Sequence, residues 1–334
     1  MNVLIINQSE VRALLPMDAC IALMAGALAV LARGEALNPL RRGLLLPDKR
    51  GILGLMPGYV VPMRMMGAKV ISVFPDQREA EYDSHQGAVL LFETEQGRLL
   101  SIIDASEVTA IRTAAVSAVA TQRLARKDAS DLAILGSGVQ AHRHLEAMFL
   151  VRSIERVRIW SRTPEHAQAF AARAARRYNC PIHAVPTAED AVRGADLICT
   201  TTSAREPVLM GDWLTPGAHI NAVGSSVPYA RELDTKAIAQ SRLFVDRRES
   251  ALREAGDFLI PRQEGVIDET HIQGELGEVL IGRIPGRRSP EETTIFKSLG
   301  LAIEDVAAGY YIYHQAIERG AGTWVELGGQ RHLD

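Results

Sequence analysis

A doubly wound parallel α/β domain joined to a smaller α+β domain is the fold class the sequence predicts. Three observations carry it. From about residue 131, strand-like and helix-like runs alternate strictly, the pattern of a parallel sheet with crossover helices. Before about residue 105 the strand-like runs pair as hairpins instead. The chain has 334 residues, 47% hydrophobic and 23% charged, enough for two domains with substantial cores. The expected division is residues 1–115 with 310–334 for the α+β domain, and 116–309 for the parallel-sheet domain.

Along the chain, Ser9 can cap a short helix through Leu15. Pro16 and Asp18 then open an Ala/Leu-rich helix to Arg33. Strand-like pieces follow at Leu44–Leu46 and Ile52–Met56, and a clearer strand at Ala68–Phe74. Ala88–Phe92 and Arg98–Asp104, joined by Glu93–Gly97, read as a hairpin. A long helix is expected from Val108 to about Arg126, bridging the two halves. Then come strand Leu132–Leu135, a helix from Val139, strand Val157–Trp160, a helix from Pro164 with Thr163 as N-cap, and strand Ile182–Ala184. Thr187 and Asp190 form the signature of a capping box. Strands Leu197–Thr200, Ile220–Val223 and Leu243–Val245 complete the series, and Thr293–Arg319 reads as one long helix.

Charge is nearly balanced, 37 basic against 40 acidic residues, a net of −3. With no basic excess to neutralise phosphates, nucleic-acid binding is disfavoured. Cys20, Cys180 and Cys199 are odd in number and lack metal-ligand spacing, which fits a reduced, cytoplasmic compartment. The start, MNVLIINQSEV, has neither a basic n-region nor a small-residue cleavage site, so it does not read as a signal peptide. The most apolar helical stretch, Ile21 to Ala32, is too short to span a bilayer, so no membrane is expected. No cluster of His, Cys, Asp or Glu has ligand spacing, and His142 and His144 point to different faces of one helix; no metal is expected.

The sharpest local signal is Gly136-Ser137-Gly138-Val139-Gln140-Ala141, a GxGxxA run directly between strand and helix. There Gly136 allows the tight turn, Gly138 lets the backbone approach a pyrophosphate, and Ala141 keeps helix and strand close. The helix N-terminus offers oriented N–H groups to the anion. The second strand ends at Trp160 and is followed by Ser161-Arg162-Thr163, where a site for NAD would usually place Asp or Glu. Two hydroxyls and a guanidinium fork suit a 2′-phosphate, so NADP(H) is expected ahead of NAD(H). The competing reading leaves Thr163 a helix cap and Arg162 a solvated charge.

Several further segments match one family. They are Gly54-Leu55-Met56-Pro57-Gly58-Tyr59, the Lys69 strand, Ser84-His85-Gln86-Gly87, Thr109 to Ala115, Pro216 to Gly224, Glu275 to Glu278, and Thr294 to Gly300. Together with the Gly136 loop, they make the sequence resemble the ornithine cyclodeaminase/mu-crystallin family across nearly its whole length. That resemblance implies a homodimer. One domain, completed by the C-terminal helix, would bind substrate and dimerise; the other would be a Rossmann domain, with chemistry in the cleft between them. It also implies formation or consumption of a small 2-imino acid by hydride transfer.

Such a substrate carries a carboxylate, best held by an Arg fork, and a C=N group that reacts when protonated. Arg112, in an otherwise small and apolar helical stretch, is a buried functional cation or a structural ion-pair partner; the resemblance favours the carboxylate-binding role. Lys69 could point outward from its strand, but it shares a face with Ile71 and Val73, which suggests burial and a role in proton transfer. The resemblance also implies a substrate contact, since Lys69 matches the family lysine near the carboxylate and the imine. Arg41 matches the family arginine of the Pro-x-Arg segment, with Arg42 leaving the register open by one. His85 is a candidate substrate contact or equally a core residue. Thr201, Val223, Gly224 and Lys297 join the expected cofactor contacts. Ser226 stands where cyclodeaminases carry Asp, and a serine is a poor base at neutral pH. The reading is therefore NAD(P)H-dependent imine reduction, in reverse amino-acid dehydrogenation, with ornithine cyclodeamination as the alternative.

Overall fold

A computed structural model describes residues 1–48, 50–74 and 84–329. The chain divides into two compact units, Met1–Arg112 with Leu301–Asp334, and Thr113–Gly300. The return to the first unit comes earlier than the expected residue 310, because Leu301 opens a helix, Ala302–Arg319, that packs on the first sheet and on helix Met17–Ala32.

In the first unit the strands lie in the order Thr323–Glu326, Asn2–Ile6, Leu99–Asp104, His85–Glu93, Met65–Val73, Ile52–Val60, Ala36–Leu37, with Arg42–Leu45 also pairing Ile52–Val60. Asn2–Ile6 and Leu99–Asp104 run parallel; the other pairs are antiparallel. Directly paired residues share a face. Met56, Lys69, Val89 and Ile103 lie in register on the buried face, under helix Ala302–Arg319. The opposite face carries Leu44, Leu53, Leu55 and Met66, all exposed, alongside half-buried Leu90 and Phe92.

The segment around Pro57 shows why the sequence pattern was cut short there. The strand does not stop at Met56 but runs to Val60. Pro57 falls between the stretches paired with Arg42–Leu45 and with Ala36–Leu37, where its missing N–H breaks no ladder. Next to it, Gly58 pairs with Gly67, and both face the helix. A Cβ at Gly58 would lie 3.1 Å from Ala302 Cβ, and one at Gly67 3.0 Å from Val306 Cγ2. The two glycines thus let the first turn of that helix settle directly on the sheet backbone.

Other local expectations are corrected. Asn7, not Ser9, caps the first helix, Gln8–Leu14, with Glu10 closing a capping box. Thr163 stands at the N-cap position but makes no side-chain cap bond. Thr187 accepts from the Asp190 N–H and donates its hydroxyl to the Asp190 carboxylate, so the box is half made. Thr293–Arg319 is not one helix: Thr294–Lys297 is a strand deep in the second sheet. A four-residue strand buried on both faces shows no alternation, so its periodicity cannot be told from a helix.

In the second unit eight parallel strands run in the order Ile182–Ala184, Arg156–Trp160, Asp131–Leu135, Leu197–Thr200, His219–Ala222, Thr294–Lys297, Arg242–Val245, Ile272–Glu275. Strand order reverses between Asp131–Leu135 and Leu197–Thr200, the switch point at which open α/β sheets bind ligands. Helix Ala105–Leu124 starts in the first unit and continues into the second. Among the described residues no single helix is long and apolar enough to cross a membrane.

Candidate active site

The first unit buries four charged side chains together. Lys69, 2% exposed, points from the sheet toward the helix above it. Its Nζ lies 3.0 Å from Asp305 Oδ1 and 2.9 Å from Asp305 Oδ2, and it donates to Thr109 Oγ1 at 3.3 Å. Arg112, 4% exposed, donates from Nε to Asp305 Oδ1 at 3.1 Å and from Nη1 to Glu304 Oε2 at 2.9 Å. Glu304 and Asp305 are fully enclosed in the first turn of helix Ala302–Arg319. That turn suits carboxylates because the helix dipole favours negative charge there. Glu304 also accepts from the Leu301 N–H at 3.2 Å.

Two cations and two anions leave the cluster formally neutral. Burial, and then the neighbouring Arg112, lower the Lys69 ammonium from its usual 10.5 to about 8, while Asp305 holds it up. Lys69 can therefore give and regain a proton near neutrality, as a proton-transfer group requires. Both sequence candidates sit in this one cluster, and the buried-face reading of Lys69 agrees with its position.

The other substrate candidates of this unit differ from these. Arg41 is half-buried while Arg42 is exposed at the start of its strand. His85 is exposed at the first position of its strand, with Nδ1 2.9 Å from Ser84 Oγ, so it is not a core histidine.

In the second unit the glycine loop forms the turn the sequence required. Gly136 has φ +123°, and a Cβ there would lie 2.7 Å from Thr201 Oγ1 and 2.8 Å from Thr201 O. Thr201 itself bonds back to the Leu135 carbonyl through both N–H and hydroxyl. Gly138 is the N-cap of helix Val139–Val151, and a Cβ on it would meet nothing within 4 Å. The loop therefore leaves open space in front of a helix N-terminus, the arrangement that receives a phosphate. Ala141 is fully buried against the sheet, Val139 is exposed and Gln140 half-buried. Ser137 and Ser161 hydroxyls meet at 2.9 Å, tying the glycine loop to the end of the second strand. Arg162 is exposed and Thr163 half-buried beside them. These residues fit a dinucleotide.

A third group organises the loop after strand His219–Ala222. Val223 is half-buried; Ser226 is exposed, immediately after buried Ser225. Glu232 is fully buried and accepts from Thr200 Oγ1, Thr202 N, Thr202 Oγ1 and Gly224 N, each at 2.7 Å. Burial pushes its carboxyl up, against the pull of Lys297. Asp257 accepts from the N–H groups of Glu232 and Leu233. Lys297, 1% exposed, lies 2.8 Å from Asp257 Oδ2 and donates to the Ser225 carbonyl at 2.5 Å. Its ammonium is thus held inside the protein, fixing the loop that carries Ser226.

Sequence reasoning assigned no role to Glu304, Asp305, Glu232 or Asp257. In the single helix expected over Thr293–Arg319 the first two fell at interior positions, where acids usually face water. A signal was nonetheless present in Glu304-Asp305, set between Leu301-Ala302-Ile303 and Val306-Ala307-Ala308 with no polar residue on either side.

The sequence profile described as the ornithine cyclodeaminase/mu-crystallin family matches residues 1–320. The chain is 38% identical over 325 residues to a Delta(1)-pyrroline-2-carboxylate reductase from Bacillus cereus, covering 97% of this chain and 100% of that one. It is 41% identical over 280 residues to the ketimine reductase mu-crystallin of Mus musculus, covering 84% and 85%. Among solved structures, the Thermococcus litoralis Delta(1)-pyrroline-2-carboxylate reductase in complex with NADH and L-proline superposes with a TM-score of 0.94 at 38% identity, over 96% of this chain and 99% of that one.

Proposed function

The chain belongs to the ornithine cyclodeaminase/mu-crystallin family, and from that premise we propose that it is an NAD(P)H-dependent reductase of small 2-imino acids, cyclic or linear. The single observation that carries the reading is the buried Lys69–Arg112 cluster, which pairs a carboxylate-binding fork with an ammonium lowered to about 8. Arg112, with Arg41, holds the substrate carboxylate. Lys69 keeps a proton on or near the imine nitrogen, directly or through water, with His85 as a further substrate contact. When bound, the reduced nicotinamide supplies the hydride for the C=N carbon. Gly136, Ser137, Gly138, Val139 and Gln140 hold the pyrophosphate, and Thr201, Val223 and Gly224 line the same end of the sheet. Lys297 acts from behind, through the Ser225 carbonyl. Ser226 orients water or the imine; as a hydroxyl it does not replace the carboxylate expected for ammonia loss. A screen of cyclic imines, and of 2-oxo acids with amines, tests the reading. At least one 2-imino acid should oxidise NADPH or NADH; oxidation of neither by any of them would reject it.

NADPH is the preferred cofactor in this reading, through Ser161, Arg162 and Thr163. Arg162→Ala should weaken NADPH by about 1.5–3 kcal/mol, roughly 10- to 150-fold, and leave NADH nearly unchanged. Fluorescence titration of both cofactors measures it; equal losses would remove the phosphate role. A cytoplasmic location belongs to the same reading, supported by the free Cys20, Cys180 and Cys199.

The apolar outer face of the first sheet supports a homodimer. Leu53 and Leu55 there cannot be left in water without cost. The protein should remain dimeric at roughly micromolar concentration, and Leu55→Glu should dissociate it. Light scattering that finds the unmodified protein monomeric in that range would reject the assembly.

A further inference from the structure

Asp305 has a task that the imine-reductase reading, on which this inference rests, does not by itself assign. We propose that Asp305 is a positioning residue for the reaction, a buried carboxylate that bridges Lys69 and Arg112 and so fixes the spacing between proton donor and carboxylate fork. One oxygen, Oδ1, is 3.0 Å from Lys69 Nζ and 3.1 Å from Arg112 Nε, and Oδ2 is 2.9 Å from Lys69 Nζ. Glu304, its neighbour in sequence, bonds Arg112 in the same cluster. The two acids thus divide the work, one bridging both cations and one steadying the fork.

A role confined to stability fits poorly. Enclosing charges carries a desolvation cost, and apolar side chains of similar size often hold a helix as well or better, so the cluster is weak evidence for a purely stabilising role. The glycine pair Gly58–Gly67, which brings the helix turn down onto the strands, instead delivers a carboxylate to Lys69 on the buried face.

The groups around Lys69 can be named from each element. Helix Ala105–Leu124 contributes Thr109 and Arg112, and helix Ala302–Arg319 contributes Glu304 and Asp305. The flanking strands place uncharged Met56 and Val89 opposite it. Cys20, on helix Met17–Ala32, senses Arg112 and Glu304, but burial pushes its thiol up, so it stays neutral. Asp305 is therefore the nearest anion opposing the burial of Lys69. Without it the ammonium should lose its proton at lower pH, by roughly one to two units.

The experiment compares pH profiles of kcat for the unmodified protein, Asp305→Asn and Glu304→Gln. Active Lys69 is protonated, so activity falls as pH rises through its pKa. The alkaline limb should move acidward most in Asp305→Asn and less in Glu304→Gln. Ionisation of the substrate is common to all three, so differences belong to the protein. KM for the imino acid should not rise in Asp305→Asn, since removing an anion favours an anionic substrate, while kcat falls. An unchanged limb with only a lower Tm would overturn the proposal. If Asp305→Asn does not fold, Asp305→Glu decides: it should keep the limb in place but lower kcat, because both cations shift, and an unchanged kcat would overturn the bridging role. Titration of the Lys69 side chain by NMR in the ligand-free protein separates this inference from the function itself. An acidward shift in Asp305→Asn supports the Asp305–Lys69 coupling even if no imine is reduced, and an unshifted titration overturns it even if one is.

Discussion

Arg112→Ala should lower kcat/KM by roughly 10²- to 10³-fold, about 3–4 kcal/mol, the range for losing two charge-assisted hydrogen bonds to a substrate carboxylate. KM should rise as well, because the fork binds the substrate before and during reaction. Stability should fall by about 3–5 kcal/mol, since Glu304 and Asp305 would be left buried with Lys69 as the remaining cation of the cluster. Arg112→Lys should restore part of the stability and little of the activity, because an ammonium cannot reproduce the planar fork. Steady-state kinetics with chemical denaturation measure both. A variant that loses stability but keeps KM would confine Arg112 to a structural role.

Lys69→Met should act differently. Its volume fits the enclosed site, so the cofactor should still bind and KM should change little. The value of kcat should drop by roughly 10²- to 10⁴-fold, the usual contribution of a positioned acid. In the unmodified protein the alkaline limb of kcat should lie at or above pH 8, because burial lowers the Lys69 ammonium to about 8 without substrate and a bound carboxylate favours its charged form. The sign follows from the chemistry: the protonated ammonium is active, so activity is full below that limb and lost above it. The limb should vanish in Lys69→Met; its survival would mean that another group supplies the proton.

Six of the eight parallel strands were legible because each carried its own turn and helix signals; Ile272–Glu275 and Thr294–Lys297 were not. The glycine loop was legible because a strand, two glycines and a helix start must be consecutive. What failed were elements whose character depends on distant partners. Thr294–Lys297 is a strand because His219–Ala222 and Arg242–Val245 flank it, and nothing within its four residues says so. The predicted strand stopped at Met56, and the gap that accepts Pro57 is visible only in the sheet. At the candidate site the two cations stood out, because a lone Lys or Arg among small apolar residues demands a reason. Their anions did not, since Glu304 and Asp305 come some 190 residues later than Arg112 and fell inside the long helix expected over Thr293–Arg319. Lys297 was expected as a cofactor contact because its segment resembles the family's; its bonds to Asp257 and Ser225 depend on a loop folded from elsewhere in the chain.

Transfer of label from deuterated NADPH to Δ1-pyrroline-2-carboxylate tests the central claim most directly. The account predicts one deuterium at the α-carbon of proline for each NADPH oxidised, with no ammonia released. Release of ammonia and proline from ornithine alone, without net oxidation of NADPH and with no label transferred to the imine, would contradict it.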